Sequence, residues 1–297
     1  MKMNPLLYDI REQFRNGSMI IKLLIINIFV FLTVQIVLLF FFFLGLHGNN
    51  FIISFFSLPA SIHELILKPW TLITYMFLHE GFMHILFNML WFYWFGKIFL
   101  TFFSNRQLLN VYLLGGLAGA GFYIISYNIF PVFAAVLPFS KALGASAAVL
   151  AVVLAVSTYI PNYTIYLMFI GPVKLKYIAI FTVALDILSI PHGNAGGHIA
   201  HLGGAGLGFL FGYQMHMNKD ITMFMDNLFR FFNNLFKSSP KYKTYNTTYK
   251  TRSNWEYNAR KNANQKRIDE ILDKVAQSGY DSLSKEEKEI LFRSSKN

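Results

Sequence analysis

The sequence predicts an all-α membrane protein, a bundle of six transmembrane helices followed by a cytoplasmic helical tail. Three observations predict it. Apolar runs long enough to cross a bilayer recur between residues 19 and 218. Charge is scarce, 14% of residues against about 25% in an ordinary globular domain. It is also unevenly placed, since the last 79 residues hold 26 charged side chains, 16 of them Lys or Arg. The chain therefore divides into a cytoplasmic segment (1–18), a membrane domain (19–218) and a basic tail (219–297).

A helix needs roughly 20 apolar residues to cross the hydrocarbon core. Six segments qualify: 19–46, 82–103, 108–129, 142–160, 174–190 and 196–216. The first is much longer than the roughly 7–15 residues of a signal peptide's apolar region. It follows a polar or mixed stretch and no small-residue cleavage site comes after it, so it reads as a span. Pro161 and Pro191 close the fourth and fifth segments.

Orientation follows from the cations in the connections. Lys2, Arg11, Arg15 and Lys22 precede or open span one; Lys97 and Arg106 flank the 2–3 turn; Lys174 and Lys176 lie between spans four and five. The opposite connections hold only Lys68 and Lys141. The positive-inside rule places both termini in the cytoplasm, at the cell (inner) membrane. The net charge of +11 mostly flanks apolar segments, so the implied partner is the lipid bilayer and not nucleic acid. The absence of Cys excludes disulfides and thiolate chemistry.

The 47–81 connection is long and partly apolar, and Trp70 suits an interfacial anchor in the outer leaflet. Residues 161–173 read as an interfacial loop. In the tail, 223–236 is aromatic and amphipathic, 237–262 is polar, and 263–295 reads as a small helical hairpin. Ile268, Ile271, Leu272 and Val275 recur at helical spacing. A Ser284-x-x-Glu287 capping box follows the Ser278-Gly279 turn.

Polar side chains are costly in lipid and mark function there. His79, Glu80, His84 and Asn88 form the first cluster. His84 and Asn88, four apart, share a helix face. The string resembles a zinc H-E-x-x-H motif but puts its second His at i+5, which breaks the ligand geometry. Ser146, in Gly144-Ala145-Ser146-Ala147, opens the fourth span. Such a serine often only packs against a neighbour, yet small flanking residues are also what a nucleophile needs for close substrate approach. His198 and His201 are three apart in the sixth span, ahead of Gly204, Gly208 and Gly212, whose spacing makes a smooth groove for a partner helix. The pair could bind a metal, but no carboxylate accompanies them in that segment, so the reading is of no metal and no cofactor. Asp186, in the fifth span, could orient a histidine or simply bond to a neighbouring helix.

Topology joins three of these clusters. His84 and Asn88, Ser146, and His201 all lie early in even-numbered spans, within roughly 10 Å of the outer boundary at 1.5 Å per residue. A nucleophile, a base and two hydrogen-bond donors at one depth fit a single site reached by water from outside. A neutral His can take the Ser hydroxyl proton as the oxygen attacks a carbonyl, and His or Asn side chains can hold the oxyanion.

At these residues the sequence resembles the rhomboid family of intramembrane serine proteases. The family pattern pairs H-x4-H-x3-N in the second helix with G-x-S in the fourth and a His followed by small residues in the sixth. Here these are His79, His84 and Asn88; Gly144 and Ser146; His201, Gly204 and Gly208. The string from Trp70 to Thr74 is similar to the family's loop before the second helix. The resemblance implies a serine-type endopeptidase that cuts transmembrane protein substrates near the outer face. Ser146 would be the nucleophile, His201 the base, and His84 and Asn88 the oxyanion donors. His79, Gly144, Gly204 and Gly208 would be structural or near the gate. His198 is a rival base, disfavoured because the glycine spacing after His201 fits the family better. The chain departs from the pattern at Ala147, where Gly is common, and at Thr71, where Arg often follows the loop Trp. The alternative is a catalytically silent rhomboid-like protein that binds membrane helices; a small transporter fits less well, because the polar residues cluster near one face.

Overall fold

The computed structural model describes residues 5–45, 49–167, 170–227, 230, 267–275 and 278–294. The chain divides into two units, 1–234 and 235–297. The first unit is mostly helical. Helix α1 spans Pro5–Asn16, α2 Met19–Phe43, α3 Asn49–Phe56, α4 Ile62–Leu67, α5 Thr71–Thr74, α6 Phe82–Phe102 and α7 Asn105–Ile129. Then come α8 (Ser146–Tyr159), α9 (Leu175–Ser189) and α10 (Ala195–His216). The six expected segments correspond to α2, α6, α7, α8, α9 and α10.

Four stretches are long and apolar enough to cross a bilayer: Met19–Phe43, Phe82–Phe102, Asn105–Ile129 and Leu175–His192. Their outward surfaces are apolar. Phe29, Ile36, Phe42 and Phe43 on α2, and Ile180, Phe181 and Leu188 on α9, are all exposed. Such a surface is stable against lipid and not against water. The chain is a multi-pass membrane protein.

Helix α8 has only 14 residues, and it is the axis of the bundle. Every side chain from Ala147 to Ser157 is buried. The reason is the small-residue ladder the sequence placed on its neighbours. A Cβ added at Gly204 would stand 2.1 Å from the Ala147 carbonyl oxygen, one at Gly208 2.1 Å from that of Ala151, and one at Gly212 2.5 Å from that of Ala155. Both series rise together by four, so α8 and α10 run parallel. Gly115 and Gly119 of α7 meet Ala151 and Ala147 in the opposite order, so α7 is antiparallel to both. Backbone thus packs on backbone, the association that small residues permit where lipid removes the hydrophobic drive. Asn27 on α2 adds a polar tie, donating to Leu23 O at 2.8 Å and to Tyr112 Oη at 3.2 Å.

The expectation of a purely helical fold is corrected at two places. Leu58–Pro59 (β1) pairs antiparallel with Lys141–Ala142 (β2). The 161–173 connection is a hairpin of β3 (Thr164–Leu167) and β4 (Gly171–Lys174), where Thr164, Ile165 and Val173 favour extended backbone. The 47–81 connection, expected to be a loop, folds into α3, β1, α4 and α5. Its Trp70 donates through Nε1 to Phe55 O at 2.9 Å and packs on the Phe55 ring.

In the second unit, residues 267–275 and Lys285–Ser294 are helical. The capping box forms: Glu287 N donates to Ser284 Oγ at 3.2 Å and Ser284 N to Glu287 Oε2 at 2.7 Å. Residues 228, 229 and 231–266, which include more than half of the expected amphipathic stretch and all of the polar segment, lie outside the described residues.

Gly208→Leu places a side chain where Ala151 backbone stands. Overpacking of this kind costs about 1–3 kcal/mol or more, so thermal unfolding in detergent is expected to fall by several degrees. Gly206→Leu, at a position with open space around it, is expected to leave the midpoint unchanged.

Candidate functional site

The β1–β2 pairing and two further hydrogen bonds hold the segment that delivers Ser146. Ala60 N donates to Ser140 O at 3.0 Å, and Gly144 N to Tyr75 O at 2.9 Å. Tyr75 is itself fastened, its Oη donating to Gly116 O on α7 at 2.6 Å. Ser146 follows as the first residue of α8. Its N–H belongs to the first turn, whose amide hydrogens have no partner within the helix. The partial positive charge of that helix end points the same way.

Gly144 adopts φ +121, a conformation L side chains rarely take. A Cβ there would stand 2.9 Å from His84 Cε1 and Nε2 and 3.7 Å from Ser146 Oγ. The imidazole of His84 therefore lies flush against the backbone just before the serine. Asn88, one turn further along α6, is buried and donates from Nδ2 to His84 O at 2.8 Å.

From α10 come His198 and His201. Each has its Nδ1 2.8 Å from the same atom, Asp186 Oδ1 on α9. With Asp186 as a carboxylate, both Nδ1 atoms are the donors, because a carboxylate has no hydrogen to give.

These residues surround a cavity of about 750 Å³, walled by His84, Asn88, Gly144, Ser146 and His201 among others. A smaller one of about 380 Å³ continues from Ser146 and His201 to Asp186 and His198, between Phe87 and Trp91 of α6 and Leu185 of α9. His201 lines both; His198 lines only the second. Of the two rival bases, His201 is the one that shares the larger cavity with Ser146.

The remaining expected site residues fall just outside. His79 is buried in the turn before α6, with its ring centroid 5.1 Å from that of His84. Burial, with His84 as a lesser cause, holds its imidazole down to about 4, so it is an uncharged packing ring at neutral pH. Gly204 and Gly208 do not touch the cavity and act through the α8–α10 contact. Sequence reasoning missed Asn194 and Gly197, which line the cavity. Asn194 sits at φ +46 and caps α10 by accepting from Gly197 N at 3.2 Å. An Asn immediately before a glycine-rich helix was the signal available. Sequence reasoning also left Asp186 unassigned between two roles, because its partners lie 12 and 15 residues downstream on another helix.

Asp186, His198 and His201 also offer three ligand atoms within 4.8 Å of one another, the kind of donor set a metal ion takes. The sequence offered no carboxylate in the same segment; helix packing brings Asp186 to both Nδ1 atoms from α9.

The fold and cavity together define a polytopic membrane protein with a polar site sunk among its helices. The Rhomboid domain description matches residues 67–218, and the chain belongs to the rhomboid family. It is also 36% identical over 169 residues to "RHOMBOID-like protein 12, mitochondrial" of Arabidopsis thaliana, a match covering 53% of this chain. The chain spans about half, 48%, of that relative's length. Residues 254–297 match a second family described only as being of unknown function.

Gly144→Ala sets a methyl against the His84 ring and strains φ. The thermal unfolding midpoint in detergent is expected to fall by several degrees, since a side chain in that backbone region costs about 1–3 kcal/mol.

Proposed function

We propose that this chain is an intramembrane serine endopeptidase that hydrolyses peptide bonds in or near the transmembrane helices of other membrane proteins. One observation carries the reading: Ser146, His201, His84 and Asn88, from three helices, wall a single cavity at the N-terminal end of α8. In this mechanism the Ser146 hydroxyl attacks the scissile carbonyl while His201 takes its proton. The oxyanion that forms is held by His84, Asn88 and the Ser146 amide. His201 then returns the proton to the departing amine, and water releases the acyl group by the same steps in reverse order. A helical peptide bond is shielded by its own hydrogen bonds, so substrates with Gly or other weak helix formers near the cut are favoured.

The same reading takes all six apolar helices as spans, including the short α8 and the glycine-rich α10. Loop cations then put both termini in the cytoplasm of a cell (inner) membrane and the cavity near the outer face. The short α8 is consistent with this, because α7 and α10 sheathe it and lipid need not meet its ends.

The test is cleavage of a single-span substrate by the purified chain in proteoliposomes. The parent is expected to cut. Ser146→Ala and His201→Ala are expected to lose at least about 10³-fold in kcat, as loss of a nucleophile or its base does. The serine is expected to be labelled by a fluorophosphonate in the parent and not in Ser146→Ala. A parent that binds the substrate but neither cuts it nor takes the label is the silent helix-binding protein instead. Loss of cleavage with His198→Ala but not with His201→Ala would reverse the assignment of the base.

A further inference from the structure

We propose that Asp186 is a positioning residue for that reaction: its carboxylate fixes His201 with hydrogen on Nδ1, leaving Nε2 as the proton acceptor for Ser146. The inference rests on the serine-hydrolase reading above and adds a third member to its nucleophile and base.

A neutral imidazole carries its hydrogen on either nitrogen, and only one arrangement serves a base that must accept through Nε2. Which one is populated depends on what the other nitrogen meets. Here Nδ1 of His201 meets Asp186 Oδ1 at 2.8 Å. An ionised carboxylate accepts and cannot donate, so the hydrogen goes to Nδ1. Nε2 is then the ring nitrogen left for the cavity shared with Ser146.

The surroundings make this arrangement stiff. Asp186 is 8% exposed and comes from a helix whose other faces meet lipid and core. A carboxylate in such a place is tolerated when its oxygens are well bonded. Two N–H donors meet Oδ1, one from each imidazole. The His198 bond therefore has a purpose apart from base chemistry: it holds the carboxylate from the side away from the larger cavity. His198 lines only the smaller cavity, with Asp186.

As Ser146 Oγ bonds to the carbonyl carbon, the hydroxyl proton passes to His201 Nε2 and the carbonyl π pair moves onto oxygen. His201 is then an imidazolium beside a carboxylate, which stabilises the positive charge without taking a proton. The proton at Nε2 leaves on the amine when the C–N bond breaks. Asp186 stays ionised throughout.

A bond that only anchors α9 to α10 would contribute stability and nothing else; a first measurement tests the tautomer the proposal requires, and a second, kinetic one separates positioning from anchoring. The first uses the unaltered chain. With ¹⁵N-histidine incorporated and the protein in detergent at neutral pH, His201 is expected to show a protonated Nδ1 and a bare Nε2. Its signals are assigned by their loss in His201→Gln. A hydrogen found on Nε2 overturns the proposal whatever the variants do. The second is Asp186→Asn. Its kcat is expected to fall by ~10²-fold or more, toward the loss seen when a triad carboxylate becomes an amide, with KM held within about threefold. A kcat within about threefold of the parent's, from a chain in which Ser146→Ala is dead, overturns the proposal and leaves the protease reading intact. A parent that cuts nothing overturns the protease reading and this proposal with it. Should Asp186→Asn fail to fold, Asp186→Glu, which keeps the carboxylate one methylene further away, is measured instead: a kcat within about threefold of the parent's with the hydrogen moved to Nε2 overturns the proposal.

Discussion

The backbone contact between α8 and α10 is the constraint on which the rest depends. Gly204, Gly208 and Gly212 lie against the carbonyls of Ala147, Ala151 and Ala155. In lipid, helices gain little from hiding apolar side chains from one another, so close van der Waals contact has to supply the association. The four-residue repeat on both helices also sets their register. That register puts His201, three residues before Gly204, level with the residues just before Ala147. A slip of one turn would move the imidazole about 5.4 Å along the axis, away from the level of Ser146.

A second constraint works at right angles to the first. The segment before Ser146 is held by the β1–β2 pair, by Ala60 and by Tyr75, all from the long connection that precedes α6. That connection also delivers His79 and leads directly into His84. One piece of chain therefore positions both the serine and its neighbouring imidazole. This explains why so long an excursion between two spans is folded into short helices and a strand.

Polarity in the membrane domain is concentrated where these constraints meet. Asp186 is the one carboxylate among the described residues of α6 to α10, and it lies beside two imidazoles. Asn27, by contrast, makes a single tie between helices, to Tyr112. A bundle needing only stability could replace a buried polar cluster with packed apolar side chains at little cost. Its presence beside the cavity is a reason to look for chemistry there.

Much of this was legible in the chain itself. Apolar run length determined the helices, since backbone hydrogen bonds must close within a segment in hydrocarbon. Spacing determined that His84 and Asn88 share a face and that Gly204, Gly208 and Gly212 form a smooth stripe, because 3.6 residues per turn is a local property. Gly144 before Ser146 and the Ser284–Glu287 cap are likewise short-range patterns. What only the tertiary structure decided depends on segments far apart in sequence. The partner of the glycine stripe, the presence of His201 but not His198 in the wall of the larger cavity, and the entry of Asn194 into that wall all come from helix packing. So does the sharing of Asp186 by two histidines, because a hydrogen-bond partner on another helix has no spacing rule that a linear reading can detect.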